Sequence, residues 1–197
     1  IGQEQWPNYR VLKGMHVLSP EWINNLADNF VQFFMPHKYK ELDLYYDRSA
    51  NTYRKQRQDF ATKLKNYIEN SLDPSGKRRP TGWKVNLMSV GQGDIRMSEE
   101  YDFMNELMTE KNKALPHLMI DQFECKELKS SLELAPLDKN TKGEIIKVKK
   151  SEKLPVKRLP MESTNFSDAF KYLMMRKKYM DVVKARRIPS IGDTKLR

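Results

Sequence analysis

A chain of 197 residues, 39% hydrophobic and 10% aromatic, is long and apolar enough for one packed domain and excludes wholesale disorder. Its 36 lysines and arginines against 26 acidic residues give a net charge of +10, which favours a polyanionic partner, nucleic acid ahead of an anionic membrane surface. The single cysteine, Cys125, excludes an intramolecular disulfide and a thiolate zinc site, and no apolar run approaches the roughly 20 residues that span a bilayer.

The opening residues, IGQEQWPNYR, lack the basic-then-apolar order of a signal peptide and read as though the chain starts within a domain, Ile1-Gly2-Gln3 resembling a strand end. Residues 9–18 alternate loosely and predict a strand. Ser19-Pro20-Glu21 has the form of a helix start, serine as N-cap and proline at the first position, and the helix is expected over 21–34 with Trp22, Leu26, Phe30 and Phe33 on its apolar face. The clearest strand is 41–47, ELDLYYD, with Leu42, Leu44 and Tyr46 on one side. A helix at about 53–70 follows, carrying Phe60, Leu64, Tyr67 and Ile68. After it come a loop (71–82) with three consecutive basic residues and a strand over 83–90. A helix at 98–112 (Tyr101, Met104, Leu107, Met108), a short strand at 115–120 and a helix at 121–134 complete this half.

Between Lys139 and Arg158 there are eight basic residues and two acidic ones, and two β-prone pieces, EIIKVKK and LPVKRL, predict a long basic hairpin over 136–160. Pro155 weakens its second arm. A last helix is expected from about Phe166 to Arg187, with a loose tail over 189–197. Strands alternating with helices indicate an α/β fold with a mixed sheet, in one domain over 1–188.

Chemistry-bearing motifs are few. There is no P-loop, no zinc-protease helix and no nucleophile elbow, and His16, His37 and His117 are too scattered to ligate a metal together. GQGD (91–94) is a turn rather than a dinucleotide fingerprint. Asp47 closes the strongest strand, where ligands collect in open α/β sheets; it suits a hard cation, though taken alone a turn cap is the readier reading. Asp168 falls in the first turn of the last helix, three residues after an expected N-cap at Asn165, where the helix dipole favours a carboxylate; an ordinary capping role fits the same position. The basic hairpin and the basic residues of the last helix (Lys171, Arg176, Lys177, Lys178, Lys184, Arg186, Arg187) read by default as solvated faces, although two basic segments flanking one acidic helix start also suit a phosphate backbone.

Taken in order, ELDLYYDRSANTYRKQRQDFATKL, GWKVNLMSVGQ and ESTNFSDAFKYLMMR resemble the C-terminal nuclease domain of phage terminase large subunits, over about Tyr9 to Tyr179. The most specific pieces are the YYD strand end and the NFSDAF helix start. The resemblance implies an RNase H-like sheet flanked by helices, with three acids binding two Mg²⁺ or Mn²⁺ ions to cut concatemeric double-stranded DNA during genome packaging. Asp47 matches the second acid and Asp168 the third; both are implied metal ligands and catalytic residues. The strand bearing the first acid is expected just ahead of Ile1, and no residue here matches it, so a domain lacking that strand is expected to be weakly active or inactive. Asn165 and Ser167 are implied supporting residues, and Lys147, Lys149, Lys150, Lys153, Lys157 and Arg158 are expected to hold the DNA backbone. The family's packaging ATPase domain has no counterpart in these residues. Portal protein and small terminase subunit are the implied partners, the bacterial host cytoplasm the implied location. Another RNase H-like nuclease of the resolvase kind, or a non-catalytic DNA-binding module, are the alternatives.

Overall fold

The computed structural model describes residues 1–47, 59–72, 75–93, 95–134, 137–139, 141, 143, 145–148 and 153–178. Its first elements form a tight hairpin: β1 (Gly2–Gln5) runs antiparallel to β2 (Asn8–Val11), Gly2 opposite Val11 and Gln5 opposite Asn8. The strand expected over 9–18 therefore stops at Val11. Beyond it Gly14 leaves the sheet, its N–H donating to the Glu124 carbonyl at 3.0 Å. On its other edge β2 pairs in parallel with β7 (His117–Ile120), giving a three-stranded mixed sheet β1-β2-β7.

Helix α1 (Ile23–Phe33) starts later than Ser19-Pro20 indicated. The residue before it is Trp22, whose N–H donates to Asn25 Oδ1 at 2.9 Å, so an asparagine three residues on closes the helix start. Its buried stripe is Ala27 and Phe30, whereas Trp22 and Phe33, both expected inside, are exposed. Strand β3 (Glu41–Leu44) pairs in parallel with β6 (Lys84–Leu87), Glu41 opposite Lys84 and Leu44 opposite Leu87. Two parallel neighbours need a crossover, and helix α2 (Phe60–Glu69) lies within it. The expected helix turns ahead of Asp59 fall outside the described residues. Asp59 caps α2, accepting from Thr62 N at 2.8 Å. The loop expected at 71–82 contains a small hairpin instead, β4 (Asn70–Leu72) against β5 (Arg78–Pro80).

Helix α3 (Met97–Thr109) buries Phe103 and Leu107 and leaves Tyr101 and Met108 exposed; α4 (Lys126–Glu133) buries Leu128 and Ser131. The basic segment departs from expectation. Its hairpin is short, β8 (Leu137–Lys139) against β9 (Ile145–Lys147), and the expected second arm is a 3-10 turn, Val156–Arg158, running into α5 (Leu159–Glu162). Pro155 supplies no N–H for a ladder, and the Arg158 N–H donates back to its carbonyl at 2.8 Å. Helix α6 (Asn165–Lys177) follows, one residue earlier than expected, so Thr164 rather than Asn165 precedes it. Residues 179–197, including the expected tail, lie outside the described residues.

The interior is divided between two apolar clusters. One joins Tyr9 and Val11 of β2 to α3, α4 and α6 through Leu107, Leu128, Phe170 and Met174. The other joins α1, α2, β3 and β6 through Phe30, Ile68, Trp83 and Val85. Burial of each large side chain contributes about 2 kcal/mol, so both clusters are substantial. The α/β class and mixed pairing are present. Among the described residues no helix is long and apolar enough to cross a membrane.

Candidate functional site

Strand β3 and its continuation aim Asp47 at the end of the parallel pair. Met88 N donates to the Leu44 carbonyl at 3.0 Å and Tyr46 N to Ser89 Oγ at 3.0 Å, so pairing with the β6 side continues past the last regular strand residue. Asp47 follows at once, its Oδ1 3.7 Å from Nη2 of Arg176, its side chain about one-third exposed.

Arg176 is no solvated surface residue. Only 4% of it is exposed, and its Nη1 donates to the Gly93 carbonyl at 2.7 Å. Gln92 of the same GQG turn donates from Nε2 to the Arg176 carbonyl at 3.0 Å, so turn and helix end are sewn together. Among the described residues neither Nε of Arg176 nor Oε1 of Gln92 has a hydrogen-bond partner.

Asp168 occupies the first turn of α6, its N–H bonded to the Thr164 carbonyl at 3.0 Å. Its Oδ1 stands 3.6 Å from Nζ of Lys171, and the same ammonium donates to Glu100 Oε2 of α3 at 2.7 Å. All three side chains are largely buried. Burial works against the Lys171 ammonium, but the hydrogen bond and charge of Glu100, with Tyr172 and Asp168 adding to it, hold its pKa above that of an ordinary lysine.

One turn later comes Tyr172, half-exposed beside Lys171. Burial pushes its phenol up, Lys171 pulls it back, and Asp47, Glu100 and Asp168 push it up further. Asp47 and Asp168 thus each pair with a cation of α6, Arg176 and Lys171, and Glu100 is a third carboxylate on Lys171. Glu100 escaped the sequence reading because a glutamate in a first helical turn is commonplace.

The implied supporting residues point elsewhere. Ser167 is buried against α4: its N–H donates to Ser131 Oγ at 2.9 Å and the two hydroxyls meet at 3.1 Å. Asn165 is exposed at the helix start. Of the implied DNA-binding residues, Lys153, Lys157 and Arg158 are exposed, and Arg158 Nε donates to Glu162 Oε1 at 2.6 Å. Lys147 ends β9, with its side chain outside the description, and Lys149 and Lys150 lie outside the described residues.

Asp47 and Asp168 fit a hard divalent cation in donor type. In number they fall short: among the described residues no group of three or more His, Cys, Asp or Glu side chains is arranged to hold a metal ion. Comparison with known protein families, with curated proteins and with solved structures returns no match.

Proposed function

We propose that this chain is a divalent-metal-dependent DNA endonuclease domain of RNase H-like type, akin to the nuclease of phage terminase large subunits, in which Asp47 and Asp168 are metal ligands. The observation that carries the reading is their pairing with α6. Two acids distant in sequence, one at the end of a parallel strand and one in a helix's first turn, pair with cations of the same helix, Asp47 with Arg176 at 3.7 Å and Asp168 with Lys171 at 3.6 Å. Two carboxylates with cationic neighbours suit phosphodiester hydrolysis, because the cleaving metal needs oxygen ligands while the phosphate needs positive charge around it. Mg²⁺ or Mn²⁺, when bound, supplies water activation and neutralises the leaving oxygen. Asp47 and Asp168 orient that charge, and Arg176 holds Asp47 in place. The net charge of +10 supports double-stranded DNA as partner, gripped through its backbone without base reading. Portal and small terminase subunit as partners, and action in the bacterial host cytoplasm, rest on the resemblance alone.

With the donor set incomplete among the described residues, this chain is expected to bind Mn²⁺ weakly, more tightly than Mg²⁺, and to nick supercoiled plasmid slowly if at all. Millimolar Mn²⁺ should raise the melting temperature by mass action, and Asp47→Asn with Asp168→Asn should remove that rise while leaving DNA binding intact. An Mn²⁺ effect that persists in the double variant sinks the assignment. DNA binding with no metal response in the unaltered chain favours a non-catalytic DNA-binding module.

A further inference from the structure

Ahead of β3 and of β6 lie two basic segments that the proposed nuclease site does not use. One is Lys38-Tyr39-Lys40; the other is the β4–β5 hairpin, where Lys77, Arg78 and Arg79 are exposed. Pairing of β3 with β6 brings the two side by side. Lys84 N donates to the Lys40 carbonyl at 2.8 Å, and Lys40 Nζ to the Thr81 carbonyl at 3.4 Å. The result is a basic patch at the amino end of the parallel pair, whereas Asp47 follows its carboxyl end.

The carboxylates bordering the patch are already matched. Glu41 accepts from Lys84 at 3.1 Å and from Asn86 at 3.0 Å, and Glu69 accepts from Lys65 at 2.7 Å and from Val85 N at 2.9 Å. Among the described residues no ion pair engages Lys38, Lys40 or Arg78. The Arg78 guanidinium lies over the Tyr67 ring, 4.1 Å from its centre, and Nη1 donates to the Asn70 carbonyl at 2.6 Å. An exposed arginine is thereby held in one place, with donors to spare.

Tyr39 is the unusual member. It is 82% exposed, yet the loop that carries it is anchored. His37 Nδ1 donates to the Tyr39 carbonyl at 2.8 Å, the His37 ring stacks on Trp83 with centres 6.2 Å apart, and Lys40 is tied to Thr81 and Lys84. Single exposed aromatics are common on protein surfaces. This one is held out from the surface by a fixed loop, with a lysine on either side, and its ring adds nothing to the interior.

We propose that this patch binds a single strand of nucleic acid, with Tyr39 stacking on one base and Lys38, Lys40 and Arg78 holding the flanking phosphates. The order cation, ring, cation along Lys38-Tyr39-Lys40 matches phosphate, base, phosphate along the strand. Every base has a face to stack, so such a contact tolerates any sequence. A duplex keeps its base faces within its own stack and offers Tyr39 nothing, so the ring selects the single strand while the cations serve either form. None of these residues belongs to the cluster around Asp47 and Asp168, so the inference stands or falls apart from the nuclease reading.

The experiment titrates the full chain against a fluorescein-labelled dT oligomer of about 12 nucleotides, and against a duplex of the same length, by anisotropy at several salt concentrations. Tyr39→Ala should weaken dT binding by at least about fivefold, leave its salt slope unchanged and alter duplex binding by less than about twofold. Tyr39→Phe, which keeps the ring, should bind dT like the unaltered chain. Lys38→Ala with Arg78→Ala should flatten the dT salt slope by about 1–1.5, since each phosphate contact on a single strand contributes about 0.7. No dT binding by the unaltered chain, dT affinity indifferent to Tyr39→Ala, or an unchanged slope in the double variant would overturn the proposal. Equal losses on dT and duplex in Tyr39→Ala would overturn it too, because the ring then selects nothing.

Discussion

Arg176 and Lys171 show how a side chain's surroundings overturn its residue type. Each is a basic residue on a polar-looking helix, and each is buried against groups from another part of the chain: Arg176 on Gly93 and Asp47, Lys171 on Glu100. Removing one member of a mostly buried pair leaves the other desolvated and uncompensated, which costs more than the pair contributes. Lys171→Met is therefore expected to destabilise by about 2 kcal/mol, and the double change with Glu100→Gln by less than the sum of the singles. Urea unfolding of the four proteins checks this; strict additivity would show that the pair is not coupled. Gly2 makes a steric counterpart, since a Cβ there would stand 2.5 Å from Cε1 of Tyr9. Gly2→Ala must displace a buried ring and is expected to cost about 1–3 kcal/mol. Part of the pH response lies at Glu4, where the Lys177 hydrogen bond outweighs burial and holds the carboxyl below its usual 4.5. A depressed folded-state pKa means stabilisation that is fully present above pH 4.5 and is lost as pH falls through the lower folded value. Glu4→Gln should flatten the acid limb of the stability curve below that pH; an unchanged limb would assign acid sensitivity elsewhere.

At the scale of the element, what could be read from the sequence was whatever depends on local period and local chemistry. The ELDL strand, the α2 face ending in Ile68 and a helix near 98–112 follow from apolar spacing and are present; the helix expected at 121–134 starts only at Lys126, because Asp121 Oδ1 accepts from Phe123 N and Glu124 N and holds the first residues in a turn. Element starts were harder, because they depend on which backbone groups find partners. Ser19-Pro20 looks like a cap, yet the Trp22 N–H is closed by Asn25 from inside the helix. The second arm of the basic hairpin failed for a related reason: VKRLPME has β-prone residues but a proline before it and an Arg158–Glu162 pair at helical spacing, and it coils. The candidate site was half legible. Asp47 and Asp168 stand out by position in their elements, whereas Glu100, Lys171 and Arg176 join them only through packing of α3 against α6 and of the GQG turn against the helix end. One capping assignment tests the local logic directly. Asp59 accepts from both Thr62 N and Thr62 Oγ1, so Asp59→Ala should cost about 1 kcal/mol and Asp59→Asn much less. Equal losses in the two variants would mean that the charge, not the cap, matters there.

For the whole molecule the governing facts are a charge of +10 and an uneven availability of that charge. Counting lysines and arginines overstates what a polyanion meets, because several are already engaged: Lys65 with Glu69, Lys171 with Glu100, Arg158 with Glu162. Among the described residues no ion pair engages exposed Lys153 or Lys157, unlike their neighbour Arg158, although the sequence places all three in one basic run. Each cation that replaces counterions on duplex DNA steepens the dependence of log affinity on log salt by about 0.9, and a pre-neutralised arginine gives up one interaction to make another. If about five phosphates are contacted, the slope between 50 and 200 mM salt should lie near −4 to −5. Lys153→Ala with Lys157→Ala should flatten that slope by about 1–2, whereas Arg158→Ala should change it by well under 1. Both should act alike on unrelated duplex sequences, as contacts to the backbone do. Fluorescence anisotropy titrations at four salt concentrations give the slopes. A slope unaltered by the double lysine change removes this segment from the proposed DNA-binding face, and a larger effect from Arg158 than from the two lysines would show that the Glu162 pair opens on binding.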